Sequence, residues 1–172
     1  NAQTIVTSPA PDDVDVTVRD FPRAPDRRQP VPAHARCPAH GPEEAYVIRV
    51  LLADDNVFVR SALVDLLSTG GDIEVVAECA DGDEVVAAAE HTRPDVVILD
   101  LAMPRVGGLG AARRLLAVQP EARIVILRGT LSAAAVREAH APGAVGYLLK
   151  DAEPDELPGH VRMVAAGGTA WR

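Results

Sequence analysis

Polar residues follow directly on apolar runs at three places in this chain: Asp54-Asp55 after Val50-Leu-Leu-Ala53, Asp100 after Val96-Val-Ile-Leu99, and Lys150 after Tyr147-Leu-Leu149. Carboxylates brought within a few ångströms repel one another, and each raises the proton affinity of the others unless a cation neutralises them. A hard divalent ion does so. Mg²⁺ prefers oxygen ligands, keeps several waters and takes one or two carboxylates plus a substrate phosphate, which suits Asp54, Asp55 and Asp100. With the acids screened, Asp100 can attack phosphorus and form an acyl phosphate, Lys150 pairing with one phosphoryl oxygen while the metal holds another. Lys150 is also the single lysine among 17 basic residues.

Such chemistry requires elements that converge. From Val47 onward short β-rich apolar runs alternate with helical periods, predicting strands at 47–53, 73–79, 95–99, 123–127 and 145–149. Val59, Leu63, Leu66 and Leu67 recur at helical spacing, as do Leu109, Ala112 and Leu116, so helices separate the strands. The continuously apolar runs at 96–99 and 124–127 suit central parallel strands covered on both faces. The expected fold is α/β, a five-stranded doubly wound parallel sheet, in which the functional crevice lies beyond the carboxyl ends of the strands. The acidic pair, Asp100 and Lys150 stand at the ends of the first, third and fifth strands.

Residues 1–46 are different. They hold 8 of the 14 prolines, interleaved with Asp, Arg and Ala, a composition that cannot build a core. They read as a Pro-rich N-terminal arm or linker with little regular structure, apart from Val14-Asp-Val-Thr-Val18, which alternates like a short strand able to dock on a sheet edge or a partner. The globular unit is expected at 47–172.

Three segments carry a family resemblance: Leu52-Ala-Asp-Asp-Asn56, Val96-Val-Ile-Leu-Asp-Leu-Ala-Met-Pro104 and Gly143-Ala-Val-Gly-Tyr-Leu-Leu-Lys-Asp151. In order and spacing they resemble the signature segments of the CheY-like (flavodoxin-like) receiver domains of two-component response regulators. The NarL/FixJ type, with LuxR-type output, is the nearest match: its fifth strand reads Gly-Tyr-Leu-Leu-Lys-Asp and its receiver closes on a Gly-Gly turn like Gly167-Gly168. The resemblance implies that Asp54 and Asp55 help bind Mg²⁺, that Ala102 gives the metal a backbone carbonyl, and that Asp100 accepts phosphate from a sensor histidine kinase. It also implies that Lys150 contacts the phosphoryl group and that Tyr147 is the switch aromatic whose rotamer reports phosphorylation. A possible homodimer through helical faces is a family-level expectation. DNA binding is expected only through a helix-turn-helix output domain not present in this chain.

Two positions depart from the family pattern. Gly107 stands where an acidic residue is usual. Arg128 stands where the fourth strand ends in Ser or Thr, the hydroxyl that bonds the phosphoryl group and draws the next loop inward. Arginine is permanently charged and presents a planar fork suited to carboxylate or phosphate. It can pair with Asp100 or the acidic pair in competition with Mg²⁺, or clamp a phosphoryl oxygen in place of the hydroxyl; Thr130 could substitute only if the loop rearranged. Arg128 therefore motivates an alternative function, a phosphorylation-independent receiver acting as a ligand-binding or dimerisation module, against which the retained acidic triad argues. A haloacid-dehalogenase-like phosphohydrolase would need an acid two residues after the first-strand nucleophile, where position 57 is Val.

Simpler readings apply to individual residues. Asp54-Asp55 alone would be a helix N-cap, Tyr147 a core residue, and Cys79 a small buried apolar group at a strand end. His91, His140 and His160 lack ligand spacing, and Arg27-Arg28 and Arg113-Arg114 are too sparse for a nucleic-acid patch. The formal charge of -8 disfavours attraction to nucleic acid or an anionic membrane. No apolar run approaches the roughly 20 residues that span a bilayer. Cys37 and Cys79 match no metal or disulfide framework, so a reducing, cytoplasmic setting is expected for a regulatory phosphoacceptor that is not an enzyme beyond self-phosphorylation and self-dephosphorylation.

Overall fold

The structure, a computed structural model, describes residues 17–18, 46–129, 143–150 and 156–171. Strands β1 (Thr17–Val18), β2 (Ile48–Ala53), β3 (Ile73–Cys79), β4 (Val96–Asp100), β5 (Ile124–Arg128), β6 (Gly146–Leu149) and β7 (Ala170–Trp171) form one sheet, in the order β1-β3-β2-β4-β5-β6-β7. Helices α1 (Val57–Ser68), α2 (Val85–Thr92), α3 (Gly108–Val118) and α4 (Leu157–Ala165) complete the described elements. All pairings are parallel except β1 with β3.

The five expected strands are all present, and the sheet exceeds five by two edge strands of two residues each. The first extra strand lies within the 14–18 segment expected to dock on a sheet edge: Thr17 and Val18 pair antiparallel with Glu78 and Ala77. Apart from these two residues and Tyr46, the arm lies outside the described residues. Four of the five strands shift by one residue at one or both ends, so Asp100 and Arg128 are the last residues of their strands rather than the first beyond them.

Alternation within the strands builds two cores. Leu51, Val97, Leu99, Ile124, Ile126 and Tyr147 face α2 and α3, where they pack with Val85, Ala89, Ala112 and Leu115. Val50, Leu52, Val96, Ile98, Val125 and Leu127 face the other way and pack with Leu63, Leu67, Val161 and Val164 of α1 and α4. Both faces of β4 are thus covered, as its unbroken apolar run requires. On α3 the buried face is Gly108, Ala111, Ala112 and Leu115; Leu109 and Leu116, expected on the core stripe, are only partly buried. Small residues let this helix approach the sheet closely: a Cβ at Gly108 would collide with the Asp100 carbonyl oxygen.

The sheet order reverses direction between β2 and β4, since β3 lies on one side of β2 and β5 and β6 follow β4 on the other. A crevice opens at such a switch point, beyond the carboxyl ends of the two strands. No helix among the described residues is long and apolar enough to cross a membrane.

Candidate functional site: a three-carboxylate cluster at the switch point

Ala53 and Leu99 are register partners in β2 and β4, so Asp54 and Asp100 lie side by side one step beyond them. Asp54 is fully buried and Asp100 is 5% exposed, while Asp55 is exposed at the rim. One carboxylate oxygen from each of the three lies within 4.8 Å of the others. Lys150, just past β6, bridges two of them: its Nζ is 2.6 Å from Asp54 Oδ2 and 2.8 Å from Asp100 Oδ1. The Lys150 N–H donates to the Arg128 carbonyl at 2.8 Å, which fixes where its stem leaves the sheet. Burial pushes the Lys150 ammonium down, but the contacts with Asp100 and Asp54 outweigh it, so its pKa stands above the ordinary lysine value. It is a fixed positive charge at neutral pH.

The loops hold the acids in place. Asp54 Oδ1 accepts the Asn56 N–H at 3.0 Å, and the Asp54 N–H donates to the Cys79 carbonyl at 3.1 Å. Arg60 of α1 donates to the Asp54 carbonyl at 2.5 Å and pairs with Glu78 at 3.5 Å. Asp100 Oδ2 accepts the Ala102 N–H at 3.1 Å. Neither Asp54 nor Asp55 caps α1: the N-cap is Asn56, whose side chain accepts from the Phe58 and Val59 N–H groups. The acidic pair is thereby released from the simple capping role.

A divalent cation suits this donor set. Asp54 Oδ2 is buried with no hydrogen bond of good geometry, and only the adjacent Lys150 charge compensates it. Three hard oxygen donors, two of them sharing a single ammonium, match the preferences of Mg²⁺.

Of the remaining expected positions, Tyr147 is fully buried in the α2/α3 core. Arg128 is half-buried at the end of β5, and alternation sets it on the face of Ile124 and Ile126, the Tyr147 side of the sheet. Among the described residues it forms no ion pair with Asp54, Asp55 or Asp100; Lys150 takes that place, against the expectation that arginine could occupy it. Thr130 and His140 lie outside the described residues. Cys79 is buried as expected, and burial pushes its thiol far above the ordinary range, which makes it inert. Gly107 is the N-cap of α3 and supplies no side-chain bond.

Sequence reasoning missed a second polar network beside the site. Asp81 and Glu84, both buried, lie between β3 and α2 and hold Arg105 of the loop that follows Asp100. The Asp81-Gly82 turn was the available signal, but nothing local points to a partner 24 positions away.

Comparison with known proteins agrees with this geometry. The family model for the response regulator receiver domain matches residues 50–162. The uncharacterized transcriptional regulatory protein YxjL of Bacillus subtilis (strain 168) is 40% identical over 125 residues, which are 73% of this chain and 57% of that protein. A two-component response regulator of the LuxR family from Aurantimonas sp. SI85-9A1 superposes with a TM-score of 0.70 at 34% identity, covering 72% of this chain and 89% of that one. The signal receiver domain of the putative response regulator NarL from Mycobacterium tuberculosis gives 0.68 at 31% identity, covering 71% and 98%. The chain spans about half the length of the curated relatives it matches, 57% for the first of them.

Proposed function

We propose, from the premise that this chain belongs to the response regulator receiver domain family and is similar to its NarL/LuxR-type transcriptional members, that Asp100 is its phosphoacceptor. The observation that carries the reading is the convergence of Asp54, Asp55 and Asp100 within 4.8 Å, with Lys150 bridging two of them. Asp54, Asp55, Asp100 and the Ala102 carbonyl would hold Mg²⁺, which supplies charge neutralisation for an incoming phosphoryl group. An Asp100 carboxylate oxygen forms the new O–P bond as the donor's P–N bond, in a kinase phosphohistidine, or P–O bond, in a small acyl phosphate, breaks. The bonding pair leaves with the donor. Lys150 then follows the charge that moves from the carboxylate onto the phosphoryl oxygens, and the Ala102 N–H orients the acceptor.

In this reading the receiver unit spans 47–172, with 1–46 as an arm. Its partner is a sensor histidine kinase, its setting the cytoplasm, and DNA is reached through an output domain outside this chain. Incubation with Mg²⁺ and acetyl phosphate followed by intact mass tests the reading. Wild type gains one phosphoryl group and Asp100→Asn gains none; no gain on wild type overturns it.

A second reading concerns the response to phosphate. Arg128 removes the strand-end hydroxyl and stands on the Tyr147 side of the sheet, so it weakens the coupling of phosphorylation to loop movement; in its strongest form the domain acts independently of phosphate as a ligand-binding or dimerisation module. Trp171, the single tryptophan, is the register partner of Tyr147. Beryllofluoride is expected to leave Trp171 emission nearly unchanged, whereas a large change reversed by omitting Mg²⁺ contradicts weakened coupling.

A further inference from the structure

The loop at 101–107 starts directly after Asp100 and carries Ala102, yet its far end is held by a different part of the chain. The Asp81 carboxylate accepts the consecutive N–H groups of Arg105 and Val106, both at 2.8 Å. The Gly82 N–H donates to the Val106 carbonyl at 3.1 Å, so the two connections are tied in both directions. The Arg105 guanidinium reaches back to Asp83 at 3.1 Å and Glu84 at 2.9 Å, with Asp81 at 3.8 Å. Glu84 in turn accepts the Ala80 N–H at 2.9 Å. Space is as tight as the polar contacts: a Cβ at Gly82 would collide with the Val106 carbonyl oxygen.

Such an arrangement exceeds what a surface ion pair does. A buried carboxylate that collects two adjacent backbone N–H groups fixes the backbone itself, and the planar arginine fork meets Asp83 and Glu84 in a fixed geometry that the rotatable lysine ammonium does not impose. Burial pushes the Asp81 carboxyl up, but the backbone N–H groups of Arg105, Val106 and Asp83 and the Arg105 charge outweigh it, so it stays ionised well into acid. With no side chain at Gly107 to cap α3, Asp81 holds the far end of this loop, at Arg105 and Val106.

We propose that Arg105 and Asp81 are positioning residues of the phosphoacceptor site: by clamping the 101–107 loop to the connection between β3 and α2 they hold the Ala102 backbone against Asp100. They thereby set the Mg²⁺ concentration at which Asp100 takes phosphate. The inference rests on the proposed Mg²⁺-dependent site. Its physical basis is that Mg²⁺ demands near-ideal octahedral geometry, so a loop released by a fraction of an ångström loses affinity before it loses its fold.

The test is the Mg²⁺ dependence of phosphorylation by acetyl phosphate, read by intact mass, with direct Mg²⁺ calorimetry and the thermal midpoint in parallel. The Arg105 side chain is 49% exposed, so Arg105→Ala keeps the fold. Its half-saturating Mg²⁺ is expected to rise by about tenfold, with the rate recovering at saturating Mg²⁺ and the metal-free thermal midpoint nearly unchanged. Arg105→Lys falls between wild type and Arg105→Ala. Gly82→Ala, which displaces the same loop sterically without touching a charge, shifts the Mg²⁺ dependence in the same direction. Wild-type Mg²⁺ dependence in Arg105→Ala overturns the inference, as does a loss of rate that saturating Mg²⁺ does not restore. A wild type that neither binds Mg²⁺ nor takes phosphate instead overturns the underlying site, and the inference with it.

Discussion

At the scale of single residues, the site is defined by how each charge is compensated. Asp54 and Asp100 share one ammonium, whereas Asp81 is compensated mainly by backbone amides. That difference has a measurable consequence. The folded-state pKa of Asp81 is lowered, so its stabilisation is fully present above the unfolded carboxylate value of about 3.9 and is lost as pH falls through the folded value. Asp81→Asn is therefore expected to be less stable than wild type by about 1–3 kcal/mol at neutral pH, with the gap closing below about pH 4. Burial pushes Glu84 up and gives it the opposite sign, but it is present in both proteins and cancels in the difference. Urea unfolding of the two proteins across the acid range checks this; a gap that stays constant with pH assigns the effect to packing rather than to charge. Asp54, Asp100 and Lys150 were legible in the sequence because each directly follows an apolar run. Asn56 was not, because two aspartates beside it offered the same capping chemistry.

At the scale of elements, the central strands were legible and the helix faces were not. Unbroken apolar runs of β-branched residues mark β4 and β5 whatever their neighbours. The core face of α3, however, is built from Gly108, Ala111 and Ala112, residues too small to stand out in a hydrophobic period, while the larger Leu109 and Leu116 sit at its margin. Close approach explains the inversion, because the helix start lies against the Asp100 carbonyl. Gly108→Ala is expected to destabilise the domain by about 1–3 kcal/mol through overpacking and to slow phosphorylation as well, since the displaced backbone is that of Asp100 itself. Denaturant midpoints and phosphorylation rates measured together check it. A variant as stable as wild type would mean that the helix start can move freely. By contrast Phe58, 83% exposed on the first turn of α1, should tolerate alanine within about 0.5 kcal/mol, and a larger loss would contradict the placement of that turn.

At the scale of the whole molecule, the chain divides by composition: the family match begins at residue 50, and 8 of the 14 prolines lie in the first 46 residues. The arm contributes β1, which pairs with one edge of the sheet through Thr17 and Val18. Two residues of pairing add little to stability but cover exposed donors and acceptors on β3. A chain beginning at Tyr46 is expected to unfold cooperatively with a midpoint close to that of the full chain, and to self-associate more readily at high concentration, as sedimentation would show; a large loss of stability would assign the arm a structural role. The proposed function depends on Asp100 being the residue that carries phosphate. The most direct measurement is to treat the Mg²⁺- and acetyl-phosphate-loaded protein with borohydride, which reduces an aspartyl phosphate to homoserine, and to map the change by peptide mass. Homoserine at position 100 alone is the predicted result; homoserine at another acidic residue, or none at all on a protein that has gained phosphate, would contradict the account.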